Sequence, residues 1–121
     1  MKITRLGIHL LFDFFDCDNQ LLNDPSRLED LLKKTSQAAN LTPLKGASHQ
    51  FKPQGASAFI LVAESHIAIH TWPEYGYAAV DVFSCRLDVD AQKLQTLLCL
   101  ELQAQRSESR CLNRGEISEL N

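Results

Sequence analysis

The chain has 121 residues, a length that accommodates one folded domain around a single core. Hydrophobic residues make up 45% of the sequence and charged residues 22%, as in ordinary globular proteins. The net charge of −3 argues against non-specific binding to nucleic acid or anionic membranes, because both require a basic surface.

The composition also bears on the compartment. No run of about 18 apolar residues predicts a membrane span, and residues 1–4 do not resemble the start of a secretory signal. The four cysteines are Cys17, Cys85, Cys99 and Cys111, and none forms a C-x-x-C pair that would indicate a zinc or redox motif. We therefore expect a cytoplasmic protein whose cysteines are reduced.

The hydrophobic pattern predicts six strands and two helices in a single domain spanning residues 1–121. In chain order the predicted strands are Ile3–Phe15, Thr42–Phe51 with a bulge at Gly46, Ala56–Ala63, His66–Trp72, Tyr77–Cys85 and Ser109–Arg114. The first helix follows turn residues at 16–25, with Asp24 or Ser26 as its cap, and ends near Asn40. The second follows Asp90. Residues 103–108 read as a polar loop and residues 116–121 as a loose tail.

These elements predict the fold class. Tight turns join most neighbouring strands, so the sheet should be largely antiparallel, and two amphipathic helices are enough to cover one of its faces. This is an α+β two-layer sandwich. The other sheet face carries apolar residues that neither predicted helix would cover, so we expect two sheets to pack face to face across a dimer.

The stretch Glu64–Cys85 concentrates the chemistry of the chain, with two of its four histidines and its only tryptophan. A tight turn in the middle of this stretch predicts that Cys85 lies opposite Ala63, beside the peptide bond that precedes Ser65. His70 would lie roughly 16 Å from Ser65 along a straight strand. Cys85 can therefore reach Ser65 within one chain, whereas His70 requires a bend or a second chain.

Two other chemistries deserve comparison. His66 and His70 share a strand face, but zinc takes three or four ligands, and nothing else lies at a fitting spacing, so we expect no metal. A hydrolase triad of Ser65, His70 and Asp81 is compatible with the composition, but the G-x-S-x-G turn that exposes such a serine is absent.

The same stretch resembles the core motif of the short prokaryotic S-adenosylmethionine decarboxylases. The resemblance covers most of the chain and extends to residues 7–10, 17–18, 49–57 and 114–115. Members of that family are proenzymes. The resemblance therefore implies self-cleavage between Glu64 and Ser65. The products would be a β chain of residues 1–64 and an α chain of residues 65–121, headed by a pyruvoyl cofactor made from Ser65.

The resemblance also implies roles for single residues. The pyruvoyl group from Ser65 would form a Schiff base with the substrate amine, and Cys85 would be the proton donor in decarboxylation. His70 would be the base of processing, assisted by the Ser57 hydroxyl, while Phe51 would stack on the adenine of the substrate. It further implies a homodimer with shared sites, to which the partner subunit contributes the residues that match Ser57 and His70.

The implied reaction is decarboxylation of S-adenosylmethionine to the aminopropyl donor of spermidine synthesis, with a carbonyl cofactor as electron sink. Ala58 and Arg86 stand where the family usually has glycine. An added arginine does not favour a cationic substrate, although it could hold a carboxylate. Arginine or ornithine decarboxylation by the same chemistry is an alternative, and an uncleaved, non-catalytic regulatory relative is a second one.

Overall fold

The structure of the protein, a computed structural model, describes residues 2–119. Within that range, six strands and three helices follow one another in the order β1 (Lys2–Phe15), α1 (Asn19–Leu22), α2 (Pro25–Ala38), β2 (Pro43–Gln50), β3 (Ala56–Val62), β4 (Ser65–Trp72), β5 (Tyr77–Ser84), α3 (Ala91–Leu102) and β6 (Arg106–Glu119). A single 3₁₀ turn, Pro73–Tyr75, joins β4 to β5.

The strands form one sheet in the order β2-β3-β4-β5-β1-β6, and each neighbouring pair is antiparallel. The consecutive strands β2 to β5 form a meander, whereas β1 lies between β5 and β6. The helices pack on one face of this sheet. The predicted α+β two-layer architecture is therefore confirmed.

Short polar side chains set the starts of the long helices. Asp24 accepts a hydrogen bond from the Arg27 N–H at 3.2 Å, with Pro25 in the first turn, and Asp90 accepts one from the Lys93 N–H at 3.0 Å. Each helix then buries one apolar stripe against the sheet. The buried helical residues include Leu28, Leu31 and Leu32 in α2 and Leu94, Leu98 and Leu102 in α3.

Strand alternation separates the two faces of the sheet. The side chains that face the helices are apolar and almost fully buried, for example Leu10, Phe12, Ile67, Ile69 and Val82. The opposite face, which we call the open face, carries polar groups and partly exposed apolar ones: His9, Ser57, Phe59, Leu61, His66, His70, Trp72, Asp81 and Phe83. The polar site residues that the sequence pointed to thus share a face with apolar surface.

The structure corrects three of the sequence predictions. The C-terminal strand is much longer than Ser109–Arg114. It includes half of the predicted loop 103–108 and residues 116–119 of the predicted tail, and it pairs with β1 along almost its whole length. The predicted tail residues 120–121 lie outside the described residues. The turn region before Pro25 contains the short helix α1, whose first N–H groups bond to Asp18.

The third correction concerns Gly46, which is not a bulge. It pairs in register with Ile60, and the irregularity lies between Pro43 and Lys45 instead. A Cβ on Gly46 would lie 2.5 Å from Ile60 Cδ1 and 2.7 Å from the Phe59 carbonyl oxygen, so close packing against β3 explains the glycine.

The length and composition of the helices bear on whether any of them could span a membrane. Among residues 2–119, no helix combines the length and the apolar character needed to cross a bilayer.

Candidate active site

The break between β3 and β4 is the first part of the site. Ser65 opens β4 and pairs with Val62 on one side and Ser84 on the other. Its φ of 155° is a conformation that residues other than glycine rarely adopt. The Cys85 N–H donates a hydrogen bond of 2.9 Å to the Glu64 carbonyl oxygen, and the Cys85 side chain is exposed.

The predicted register of this hairpin is wrong by one residue. Ser65 lies opposite Ser84, and His70 lies opposite Ala79 instead of Ala78. Cys85 is therefore level with Glu64, not with Ala63. The shift leaves intact the prediction that Cys85 lies beside the Glu64–Ser65 bond.

The Glu64 carboxylate is held in place by two residues from different parts of the chain. The Thr42 N–H and hydroxyl donate to its two oxygens at 2.9 and 3.2 Å, and one Arg86 guanidinium nitrogen lies 3.9 Å away. The Thr42 N–H bond is the main cause of a lowered Glu64 pKa, and the Arg86 charge adds to it. Glu64 is therefore ionised at neutral pH.

The second part of the site lies at the other end of β4. His70 and Ser57 are opposite each other on β4 and β3, and Ser57 Oγ lies 2.8 Å from His70 Nδ1 in a hydrogen bond. Both line a cavity of about 320 Å³ whose wall also contains Phe51, Trp72 and Glu74. The structure thus brings three predicted site residues, Phe51, Ser57 and His70, to one cavity.

The two parts are separate within one chain. Ser65 and His70 lie near opposite ends of β4, roughly 16 Å apart at the rise of an extended strand. Direct proton transfer needs about 3 Å between heavy atoms. Cys85 lies beside the Glu64–Ser65 bond, as the hairpin spacing predicted, whereas Ser57 lies next to His70.

A third polar group occupies the open face between these parts. Asp81 Oδ2 lies 2.8 Å from His9 Nε2 and 2.9 Å from His66 Nε2, and an Arg114 guanidinium nitrogen lies 2.9 Å from His9 Nδ1. Arginine can only donate hydrogen bonds, so His9 Nδ1 must be the acceptor. The ring proton of His9 is then on Nε2, which donates a hydrogen bond to Asp81. Burial raises the pKa of Asp81, but the hydrogen bonds from His9 and His66 outweigh burial and lower it overall.

This third group bears on the metal and hydrolase alternatives. His9, His66 and Asp81 place one ligand atom each within 4.8 Å of one another, a set that the sequence reasoning missed. The Arg114 contact, however, selects the His9 tautomer whose Nε2 has no free lone pair for a metal. Asp81 bonds to His66 and not to His70, so the hydrolase triad is not assembled within this chain.

Ala58 and Arg86, the two positions where the resembling family usually has glycine, lie in different surroundings. Ala58 is buried on the helix-facing side of β3, so its methyl group does not reach the open face. Arg86 donates a 2.7 Å hydrogen bond to the Asn40 carbonyl oxygen in addition to its approach to Glu64. The carboxylates near Arg86, those of Asp88 at 2.9 Å and Glu64 at 3.9 Å, are therefore the protein's own.

The remaining cysteine of note is Cys17, which is buried. Burial raises the pKa of its thiol to about 12, with smaller contributions from Cys99 and Asp16. A thiol of that kind is a weak nucleophile at neutral pH. Cys17 therefore belongs to the core, while the exposed Cys85 is available for chemistry.

Comparison with known proteins gives a consistent result. A sequence model described as S-adenosylmethionine decarboxylase matches residues 8–115. The S-adenosylmethionine decarboxylase proenzyme of Thermosipho africanus is 41% identical over 86% of this chain and 80% of its own length, and that of Pseudomonas aeruginosa is 42% identical over 93% and 71%. The proenzyme of Thermotoga petrophila is 38% identical over 98% of this chain and 91% of its own length. The crystal structure of the adenosylmethionine decarboxylase from Aquifex aeolicus is 34% identical, with a TM-score of 0.85 and 98% of each chain covered.

Proposed function

The chain belongs to the S-adenosylmethionine decarboxylase family, and from this premise we propose that it is a self-cleaving decarboxylase of S-adenosylmethionine. The observation that carries the proposal is the arrangement around Ser65. A serine with a rare backbone conformation follows a peptide bond whose carbonyl group is already hydrogen-bonded by the Cys85 N–H. The product of the decarboxylation would be the aminopropyl donor used in spermidine synthesis.

Self-cleavage needs an attack on the Glu64 carbonyl carbon by the Ser65 hydroxyl. The peptide nitrogen leaves that carbon and takes a proton, which converts the amide into an ester. The Cys85 N–H points at the oxygen that gains negative charge in this step, and a preorganised donor of this kind lowers the barrier. Strain at Ser65 would be released as the bond breaks, which also favours the reaction.

A base completes the cleavage by removing the Ser65 α-proton. The ester then breaks by elimination, and the main-chain carbonyl group of Glu64 leaves as a carboxylate. Tautomerisation of the resulting dehydroalanine and hydrolysis with one water release ammonia and leave a pyruvoyl group at residue 65. His70, paired with Ser57 at 2.8 Å, has the chemistry of such a base. The chain would thus divide into residues 1–64 and 65–121.

The position of Ser65 fits the formation of that group. Ser65 is half-buried at the start of an interior strand, and Cys85 directly follows Ser84, the β5 residue that pairs with Ser65. When present, a pyruvoyl group supplies a carbonyl that can bond to the substrate amine and take up the electrons released with carbon dioxide. Cys85 would then give a proton to the substrate α-carbon, and Phe51 would stack on the adenine ring.

The separation along β4 supports a site that is shared between two chains. Because His70 and Ser57 lie far from Ser65 in their own chain, we propose that they act on Ser65 of the partner subunit. The partly exposed apolar groups on the open face, including Phe59, Leu61 and Trp72, support packing of this face against a second copy. A symmetric dimer would contain two such composite sites.

One experiment tests the cleavage, and a second tests the substrate. Intact mass spectrometry of the purified protein should show two fragments split at Ser65, the second with a pyruvoyl end. A single uncleaved chain in active buffer would contradict the enzyme proposal and favour the non-catalytic alternative. Carbon dioxide release should occur with S-adenosylmethionine, and release from arginine or ornithine instead would overturn the proposed substrate.

A further inference from the structure

Glu64 is the residue that needs an anchor if the chain is cut after it. It lies in the tight turn after β3, whose last residue in the ladder is Val62. Before cleavage, the covalent link to Ser65 keeps Glu64 in place. After cleavage, Glu64 would be a chain end, and chain ends fray unless specific contacts hold them.

The structure surrounds this residue with such contacts. Thr42 donates twice to the Glu64 carboxylate, and the Thr42 carbonyl oxygen accepts a 2.9 Å hydrogen bond from the Ala63 N–H. Arg86 approaches the same carboxylate from the β5 side, and its 2.7 Å hydrogen bond to Asn40 fixes the guanidinium at the end of α2. Two segments that are distant in the chain, residues 40–42 and Arg86, thus converge on one side chain.

From these contacts we propose that Thr42 and Arg86 form a clasp that positions Glu64 for self-cleavage and retains it afterwards as the C-terminus of the β chain. This inference rests on the proposed cleavage at Ser65. Thr42 and Arg86 are positioning residues here, since they act through the Glu64 side chain and not on Ser65 itself.

The negative charge that cleavage adds at Glu64 explains why an arginine is suitable at position 86. Cleavage turns the Glu64 carbonyl group into a second carboxylate on a residue whose side chain is already anionic. A nearby guanidinium compensates part of this new charge. The guanidinium group also lies 2.9 Å from Asp88 Oδ1 through its Nε, so Arg86 shares its charge between Asp88 and Glu64.

The test follows self-cleavage over time after cell-free synthesis of the full chain. Arg86→Gln should slow cleavage about two- to fivefold, the effect of losing a partly exposed ion pair. Arg86→Lys should restore part of the rate because it keeps the positive charge. Arg27→Gln is the matched control, because Arg27 is exposed on α2, and it should cleave like the unaltered chain.

A double-mutant cycle separates the clasp from a general structural effect. If Arg86 acts through the Glu64 carboxylate, Arg86→Gln should cause no further slowing in a Glu64→Gln chain. In the cleaved protein, a carboxypeptidase should remove Glu64 from the β chain faster in Arg86→Gln than in the Arg27→Gln control. This second measurement does not depend on the rate of cleavage.

The outcomes that overturn the inference are distinct from those that overturn the proposed function. Failure of the unaltered chain to cleave would refute the proposed function, and the clasp with it. Normal cleavage of the unaltered chain and equal rates for Arg86→Gln would refute the clasp alone. So would a slowing by Arg86→Gln that is just as large in the Glu64→Gln background.

Discussion

Combining two inactive variants tests the shared site most directly. Ser65→Ala removes the residue to be converted, and His70→Ala removes the proposed base, so neither chain should be processed alone. In a symmetric dimer each site would join Ser65 of one chain to His70 of the partner subunit. A heterodimer of the two variants then has one site in which both residues are intact.

The expected yield follows from the geometry of β4. Ser65 and His70 are roughly 16 Å apart in one chain, so cleavage within a chain cannot use its own His70. Random pairing of equally expressed chains makes roughly half of the dimers heterodimers. We therefore expect cleavage of roughly half of the His70→Ala chains, or about a quarter of all chains, and of no Ser65→Ala chain.

The assay is co-expression of the two chains with different tags, followed by intact mass spectrometry. The control pair is Ser57→Ala with His70→Ala. Ser57 and His70 are hydrogen-bonded within one chain at 2.8 Å, so one subunit supplies both to a site. In a heterodimer of this pair, each site therefore lacks either Ser57 or His70. Cleavage there should be no faster than in Ser57→Ala alone. Co-purified heterodimers with uncleaved His70→Ala chains would refute the shared-site reasoning.

Three further substitutions probe single roles. Cys85→Ala should still cleave, but carbon dioxide release should fall about a hundredfold or more, as expected for loss of a general acid; full turnover would contradict its role as proton donor. Phe51→Ala should raise KM about two- to tenfold with little change in kcat, because it removes one stacking partner; an unchanged KM would argue against adenine stacking. Asp81→Asn should lower the free energy of unfolding at pH 7 by about 1–3 kcal/mol, measured by urea denaturation, because it weakens the hydrogen bonds to His9 and His66. Burial raises the pKa of Asp81, but the hydrogen bonds from His9 and His66 lower it by more, so the folded-state pKa is below the ordinary value. The stabilisation is therefore complete above the ordinary pKa of about 4, and it is lost as the pH falls below that value. Equal stability of the variant and the unaltered protein at pH 7 would contradict this account.

Local sequence patterns predicted much of the fold and part of the site. The caps Asp24 and Asp90 and the spacing of buried leucines identify the helices, since both signals act over a few residues. The β4–β5 hairpin brings Cys85 beside Glu64 through a short turn, so their proximity could be predicted to within one residue. The separation of Ser65 from His70 follows in the same way from the rise of one strand.

Contacts between segments distant in the chain could not be predicted in this way. Nothing local indicates that β1 pairs with both β5 and β6, yet this pairing places His9 next to Asp81 and Arg114. The same pairing explains the length of β6, whose exposed and largely polar sequence lacks the alternation typical of strands. Thr42 likewise meets Glu64 because α2 returns the chain to the end of β3.

The physical reason is the range over which each interaction acts. Capping, alternation and tight turns depend on neighbouring residues. The sequence by itself therefore determined the two long helices, the β4–β5 hairpin to within one residue, and the proximity of Cys85 to the Glu64–Ser65 bond. Strand order and polar contacts across the sheet depend on which distant surfaces bury each other. Only the tertiary structure therefore decided that Thr42 and Arg86 surround Glu64, and that two histidines converge on Asp81.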